Sequence, residues 1–465
     1  MKKKNYFNII NPFNGEKVGE SPNNSNQEIN NLLKDVADYK CELSGLARSE
    51  ILDKNLQTIQ KNKRVLSRLI SLESGLCIKN AIYEVERAIN CIRYCSLQAK
   101  LLDNIDITSE FLDKNSPENP KLKVFSEPLN LVIGITPFNH PLNMVMHKVG
   151  PAIAAGTPIV IKPSEKTPLT AIKLRELMIK DGLPEQMFNI VSGLPPKNVV
   201  DQLLSFKNID FVSFTGGVNV GKYIARKMAE SGNELIKYAP ELGGNAVFVV
   251  MNDCDIDLAA ELSLGAFENS GQRCTAIRRI LLHEDIYDDF IERFIQLTSQ
   301  IKYGDPLNPE NDMGTVISPE QANLIHKRVN KAIDEGANLL FGNKIDNSLF
   351  SPTIVHNINP SSELIKDETF GPVASIIKIK NIDDAINYIS NDRFALASGI
   401  ATSSKDNAYK LYSNICVGQF SWNGKPGYRT ENAPFGGFKD SGNGEKEGVV
   451  LMTRAMRRLR TFYEH

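Results

Sequence analysis

The chain has 465 residues, 42% of them hydrophobic, enough to close the cores of two or three domains without a disulfide framework. Its 54 Lys and Arg stand against 55 Asp and Glu, so it lacks the basic surplus of a nucleic acid binder. The longest apolar runs, Leu131 to Ile135 and Ala246 to Met251, are strand-sized and fall short of the ~20 residues of a bilayer span, so no membrane segment is expected. No apolar leader core follows the basic Met1 to Lys4, and the seven cysteines are scattered without CxxC spacing. A cytoplasmic protein with free thiols is expected.

Apolar residues recur at helical spacing from Gln27 to Gln98, as in Ile51, Leu56 and Ile59, which predicts an amphipathic helical layer. A polar segment from Asn104 to Lys123, with Asp113 to Pro120 at its centre, reads as a hairpin or an excursion. From Asn130 onward, short β-branched runs alternate with helical ones: strand Leu131 to Thr136, helix Pro141 to Ala155, strand Pro158 to Lys162, helix Leu169 to Asp181, strand Phe188 to Val191. Strand Phe211 to Thr215 then runs through a glycine-rich turn into a helix from Lys222. A second alternating series follows Gly243 and Gly244, with strand Ala246 to Met251, helix Asp257 to Asn269 and strand Ile277 to Leu282. Two α/β domains with parallel sheets fit this order, and no internal repeat interrupts it.

Cys274 lies in Asn-Ser-Gly-Gln-Arg-Cys-Thr-Ala between a helix and a strand. Arg273 supplies a neighbouring positive charge, which favours a reactive thiolate over a buried, inert thiol. The other six cysteines carry no such context. Glu241 opens Glu-Leu-Gly-Gly one strand and one helix earlier, where a carboxylate beside two glycines is either a solvated surface group or a base for an attacking water. Pro137-Phe138-Asn139-His140-Pro141 joins a strand to a helix, so Asn139 either caps that helix or donates to an oxyanion near the cysteine. Gly216 to Gly221 joins a strand to a helix and offers backbone donors to a pyrophosphate. Lys162-Pro163-Ser164-Glu165 ends another strand, as a plain polar loop or as a cation and a carboxylate at the edge where riboses bind.

Together, in order from Asn11-Pro12 to Lys446-Glu447-Gly448, these segments resemble the aldehyde dehydrogenase superfamily. The resemblance implies an α/β fold in three parts. A Rossmann-type cofactor domain takes residues 1–108, 126–241 and 436–450, an α/β catalytic domain 242–435, and a small β oligomerisation arm 109–125 and 451–465. It also implies Cys274 as nucleophile, Glu241 as general base, and Asn139 with the Cys274 N–H as oxyanion hole. Cofactor contacts carried over are Thr136, Pro137, Lys162, Ser164, Glu165, the phosphate turn with Gly216, Gly217 and Gly221, then Leu242, Gly243, Glu368 and Phe370. Pro434-Phe435-Gly436-Gly437 with Lys439 and Ser441-Gly442 matches the family's late signature. NAD is expected rather than NADP, because Glu165 would repel a 2′-phosphate; no metal is implied, and a homodimer or homotetramer is.

The departures point to a substrate. His140 and Arg273 are cationic types where the family carries apolar or small residues, and Arg87 falls on a helix that the family places along the substrate tunnel. With Arg429 in Pro426-Gly427-Tyr428-Arg429, they resemble the phosphonoacetaldehyde dehydrogenase branch and imply a small anionic aldehyde. The alternatives are that Arg273 pairs with a carboxylate and orients its loop, that Arg87 decorates a helix surface, and that His140 is a neutral packing residue. The expected reaction is NAD-dependent oxidation of phosphonoacetaldehyde to phosphonoacetate through a thiohemiacetal and a thioester. Alternatives are lactaldehyde, succinic semialdehyde or another small aldehyde, transfer to coenzyme A, which Glu241 opposes, and an inactive cofactor-binding protein of the same fold. Pro240 stands where the family usually has Leu and bears on how Glu241 is aimed.

Overall fold

The computed structural model describes residues 5–102, 108, 111–112 and 121–464. The polar segment expected as an excursion lies largely outside them. The chain opens on an antiparallel hairpin, β1 (Tyr6–Ile10) and β2 (Lys17–Pro22), with only Ile9 and Ser21 buried. Four helices follow: α1 (Asn26–Asp38), α2 (Gly45–Lys61), α3 (Lys63–Ser74) and α4 (Ile78–Leu102). Their ends are set locally. Ser25 and Glu28 form a capping box at α1, and Gly75, at φ 76°, closes α3 in the left-handed conformation that an L side chain resists.

Next come β3 (Lys121–Pro128), β4 (Val132–Ile135), α5 (Asn143–Ala155), β5 (Ile159–Lys162), α6 (Pro168–Lys180), β6 (Phe188–Ile190), α7 (Pro196–Leu204), β7 (Phe211–Thr215), α8 (Val218–Glu230) and β8 (Lys237–Glu241). Five of these strands form a parallel sheet in the order β6-β5-β4-β7-β8. Strands β4 and β5 are buried along their whole length, as continuous Val and Ile runs require in a sheet covered on both faces. One apolar cluster joins it to α2–α6, and a second fills the face under α1, α7 and α8.

The second sheet has seven strands. At its centre are β9 (Ala246–Val250) and β10 (Ile277–His283), joined through α9 (Ile256–Ser263). Only Asn338–Phe341, at one edge, runs antiparallel to its neighbour. The expected helix to Asn269 ends at Ser263 and breaks into short 3-10 turns. At the C-terminus, helix Val449–Ala455 packs into the core beside α4 and α5, and strand Arg457–Glu464 pairs antiparallel with β3. Of the two strands of this ribbon, the C-terminal one is largely exposed.

Candidate active site

In the five-stranded sheet the strand order reverses at β4, and the carboxyl ends of its strands lie level: Ile135 pairs with Lys162 and Phe214, and Thr215 with Glu241. Such a switch point leaves a crevice beyond the strand ends. There a cavity of about 290 Å³ opens between the two sheets. It brings together Cys274, Glu241 and Asn139 with Pro137, Gly216, Gly217, Leu242, Gly243, Glu368, Phe370, Arg87, His140, Arg273 and Arg429. Thr136, Lys162, Ser164, Glu165 and Gly221 do not line it.

Cys274 sits on a turn whose approach is bent by three successive left-handed residues, Asn269 at φ 53°, Ser270 at 54° and Gly271 at 67°. Such conformations cost about 1–3 kcal/mol at a non-glycine residue and persist only where surroundings hold them. Arg278, buried in β10, does so: it donates to the carbonyls of Gly371 at 2.6 Å and Arg273 at 3.1 Å, and to Gly271. Gln272 Oε1 accepts from the Ile317 N–H at 2.9 Å and adds a further tie. Burial, with a smaller push from Glu368, raises the Cys274 thiol to about 12, outweighing the attraction of Arg273. Arg273 does favour the thiolate, as expected, but less strongly than burial opposes it. Its guanidinium is ion-paired to Glu268, and the sulfur is desolvated.

Asn139 is buried and donates one amide N–H to the Gln272 carbonyl at 2.8 Å, leaving its second N–H for the cavity. The Cys274 backbone N–H has no hydrogen-bond partner among the described residues, so it and Asn139 are both open to an oxyanion. Glu241 ends β8, the edge strand, where Pro240 costs no ladder bond on the open side and leaves the carboxylate in the cavity lining. Both Glu241 oxygens are buried without partners. Burial, then the charge of Glu447, raise its pKa well above the usual carboxylate range. Glu447 accepts from the wholly buried Lys148 at 2.7 Å, and Lys148 also donates to Ser213 at 2.8 Å and Thr215 at 2.9 Å.

A dinucleotide fits the other half of the crevice. Helix α8 begins at Gly216 and Gly217 with no side-chain cap, so its first N–H groups face an anion's position, and a Cβ at Gly217 would meet open space. Glu368 accepts from the Gly244 N–H at 3.1 Å and lies so close that a Cβ at Gly243 would be 2.2 Å from its Oε2. Thr136 Oγ1 is buried without a partner at the end of β4. Gly221 corrects its expected role: its N–H is bonded to the Gly217 carbonyl at 3.0 Å, and a Cβ there would strike Leu242, so it permits packing and cannot donate to a phosphate. Lys162 lies 3.4 Å from Glu165, and Ser164 Oγ accepts from the Lys166 N–H at 3.2 Å.

The cationic end of the cavity carries its own counter-ions: Arg273 pairs with a carboxylate, the alternative weighed from sequence, whereas the partner of Arg87 was not legible there. Arg87 grips Glu431 with two bonds, Nε to Oε1 at 2.7 Å and Nη2 to Oε2 at 3.1 Å. Glu268 pairs with both Arg273 and Lys425. Burial lowers the pKa of His140 despite Glu84 at 3.5 Å, which favours the neutral ring over the cation. Arg429 differs: it lies over the Phe435 ring at 4.2 Å, donates to His147 at 3.2 Å, and has no carboxylate ion pair among the described residues. Lys148 and His147, adjacent charged types in a helix otherwise apolar all round, were the available signal for this layer.

No group of three or more His, Cys, Asp or Glu that could hold a metal ion occurs among the described residues. No helix among them is long and apolar enough to cross a membrane. The chain matches the aldehyde dehydrogenase family over residues 1–461. It is 34% identical to a lactaldehyde dehydrogenase of Methanococcus maripaludis (strain C5), covering 99% of this chain and 97% of that protein. It is 30% identical to a sulfoacetaldehyde dehydrogenase of Neptuniibacter caesariensis, covering 98% and 99%. The crystal structure of an NADP-dependent glyceraldehyde-3-phosphate dehydrogenase from Bacillus halodurans C-125, complexed with NADP, superposes with a TM-score of 0.92 at 30% identity, covering 99% and 96% of the two chains. Cys274, Glu241 and Asn139 thus line one cavity, and the chain belongs to the aldehyde dehydrogenase family, enzymes that oxidise small aldehydes with NAD or NADP.

Proposed function

We propose that this chain oxidises a small aldehyde with an anionic tail to the corresponding carboxylic acid. Arg429 carries the reading: its guanidinium reaches the cavity of Cys274 without a carboxylate partner, and its Nε is buried and unbonded. The guanidinium is half-buried, and a sulfonate, phosphonate or carboxylate tail would give it the carboxylate-type partner it lacks and satisfy the buried Nε. Relatives named for sulfoacetaldehyde and 3-sulfolactaldehyde support this class, to which phosphonoacetaldehyde also belongs. A second reading, lactaldehyde, is favoured by the 34% identical relative of that name.

In this reading Cys274 Sγ attacks the aldehyde carbon, and the second Asn139 N–H and the Cys274 N–H hold the oxyanion. NAD or NADP held in the crevice would supply the hydride acceptor. Glu241 then takes a proton from the water that attacks the thioester, releasing the acid and restoring the thiol. Gly216, Gly217, Gly243, Leu242, Pro137, Phe370 and Glu368 would hold the nicotinamide half of the cofactor. Thr136, Lys162, Ser164 and Glu165 would meet the adenosine half, with Glu165 favouring NAD over NADP. We further infer the domain division given above, and a dimer or tetramer built on the ribbon of β3 and the C-terminal strand.

The test is the initial rate of NADH formation with sulfoacetaldehyde, phosphonoacetaldehyde, succinic semialdehyde and lactaldehyde, for the wild type and Arg429→Gln. Loss of a charge-assisted hydrogen bond, about 1.5–3 kcal/mol, should lower kcat/KM for the anionic aldehydes by about 10- to 150-fold and spare lactaldehyde. Equal losses for all four, or none, would remove the anionic reading.

A further inference from the structure

Beside the cavity of Cys274 lies a second one of about 460 Å³, and the two share Arg87, His140, Arg273 and Arg429 in their linings. The charged groups of this passage can be counted. Its cations are Arg87, Arg273, Lys425 and Arg429; its carboxylates are Glu84 and Glu268 in the lining, and Glu431 behind Arg87. Glu84 also accepts from the Leu142 and Asn143 N–H groups at 2.8 and 3.0 Å, which fixes it in place. His147 is held between the Arg429 donor and Glu431, an arrangement a neutral ring satisfies with one nitrogen accepting and the other donating, and burial disfavours the charged form of both His147 and His140. Four cations against three carboxylates leave one net positive charge in this outer part. Arg429 is the arginine with no carboxylate ion pair among the described residues, and Glu447 and Glu241 act on it from the inner cavity.

We propose that Glu431 makes this site selective for aldehydes bearing a single negative charge on the tail, such as a sulfonate or a carboxylate, and against a dianion. Glu431 is a positioning residue. It does not line either cavity, yet it occupies Arg87 through two bonds and His147 through a third, and so withdraws Arg87 from the tail. A monoanion meets Arg429 and leaves the passage neutral. A dianion brings one further negative charge into a desolvated space where both other arginines are already paired, and an unpaired buried charge is strongly disfavoured. This rests on the anionic reading proposed above and sharpens it.

The experiment measures kcat/KM of the full-length protein with sulfoacetaldehyde, succinic semialdehyde and phosphonoacetaldehyde, with lactaldehyde as the uncharged reference, from about pH 6 to about pH 9, the range in which a second phosphoryl-type ionisation is completed. The ratio of phosphonoacetaldehyde to sulfoacetaldehyde should fall by about tenfold or more as the phosphonate becomes a dianion. Agreement between sulfoacetaldehyde and succinic semialdehyde separates tail charge from tail geometry. In Glu431→Gln the fall should flatten, because Arg87 is released, whereas Glu431→Asp should keep it. A ratio constant with pH in the wild type overturns the proposal, as does an unaltered fall in a folded Glu431→Gln; the wild-type series decides alone if that variant does not fold. If neither monoanion exceeds lactaldehyde, the anionic reading fails and this proposal with it. If both exceed lactaldehyde and the dianion matches them, only this proposal fails.

Discussion

The Asn139 side-chain amide donates to the Gln272 carbonyl at 2.8 Å, tying the loop after β4 to the turn that carries Cys274. The bond spans the two sheets, so one amide both fixes the nucleophile's turn and presents its remaining N–H to the cavity. Asn139→Ala should lower kcat by about 10² to 10³, the cost of one oxyanion donor, in steady-state assays. Asn139→Asp should fare no better, since a carboxylate would turn an acceptor toward both the Gln272 carbonyl and the developing oxyanion. Near wild-type turnover in either variant would remove Asn139 from the reaction.

The raised Cys274 thiol makes a prediction about the protein without cofactor. Its thiolate is the charged form, so desolvation keeps it scarce at neutral pH, and the fraction grows until pH approaches about 12. Alkylation of Cys274 by iodoacetamide, followed by peptide mass spectrometry, should therefore rise by about tenfold per pH unit across the alkaline range. A plateau near neutrality would mean that Arg273 activates the thiol after all. Cys274→Ala should abolish turnover and leave cofactor binding measurable by calorimetry.

Glu241 must be ionised to act as a base, and its pKa is raised by burial and by Glu447. Hydrolysis of the thioester should accordingly accelerate as pH rises through the Glu241 ionisation. Replacing Glu447 by Gln removes the repelling charge and leaves Lys148 as a net attraction, so the rising limb should move to lower pH. Stopped-flow records of the steady-state phase after an NADH burst would show the shift. Movement to higher pH would mean that loss of Glu447 disturbs the buried Lys148 more than it relieves Glu241. In Glu241→Gln the burst should survive and the steady state collapse.

How far the sequence speaks depends on how local the determinant is. The buried runs of β4, β5 and β9 announce themselves as Val and Ile clusters, and the turn at Gly216 and Gly217 follows from two glycines between strand and helix. The hairpin of β1 and β2 did not announce itself, because it buries little and lacks alternation. Cys274, Glu241 and Asn139 were legible through short motifs. Their electrostatics were not, since the partners that set them lie far along the chain: Glu431 for Arg87, Glu447 for Lys148. A charge seen in sequence is only half of a pair, which is why the expected cationic cluster emerged largely neutralised. The left-handed Asn269 and Ser270 were also hidden, because their side chains are held by residues distant in sequence, Asn269 by His140 and Ser270 by the Gly314 carbonyl, while Arg278 ties down the adjoining Gly271.

Gly243 and Gly271 separate crowding of the cofactor crevice from crowding of the fold. At Gly243 no left-handed backbone is required, and a Cβ would meet the end of the Glu368 side chain, 2.2 Å from Oε2, which can rotate away. Gly243→Ala should then raise KM for the nicotinamide cofactor while moving Tm by less than about 3 °C, the shift of roughly 1 kcal/mol in a large domain. At Gly271 the φ of 67° already penalises an L side chain by about 1–2 kcal/mol, and the Cβ would lie 2.1 Å from the Gly371 carbonyl oxygen, a backbone atom that cannot step aside. Gly271→Ala should lower Tm clearly further than Gly243→Ala and lower kcat, because the turn it distorts carries Cys274. Calorimetric melting of the two variants beside their steady-state constants makes the comparison. If Gly243→Ala destabilises as much as Gly271→Ala, Glu368 is part of the folded core and not a movable arm of the cofactor crevice.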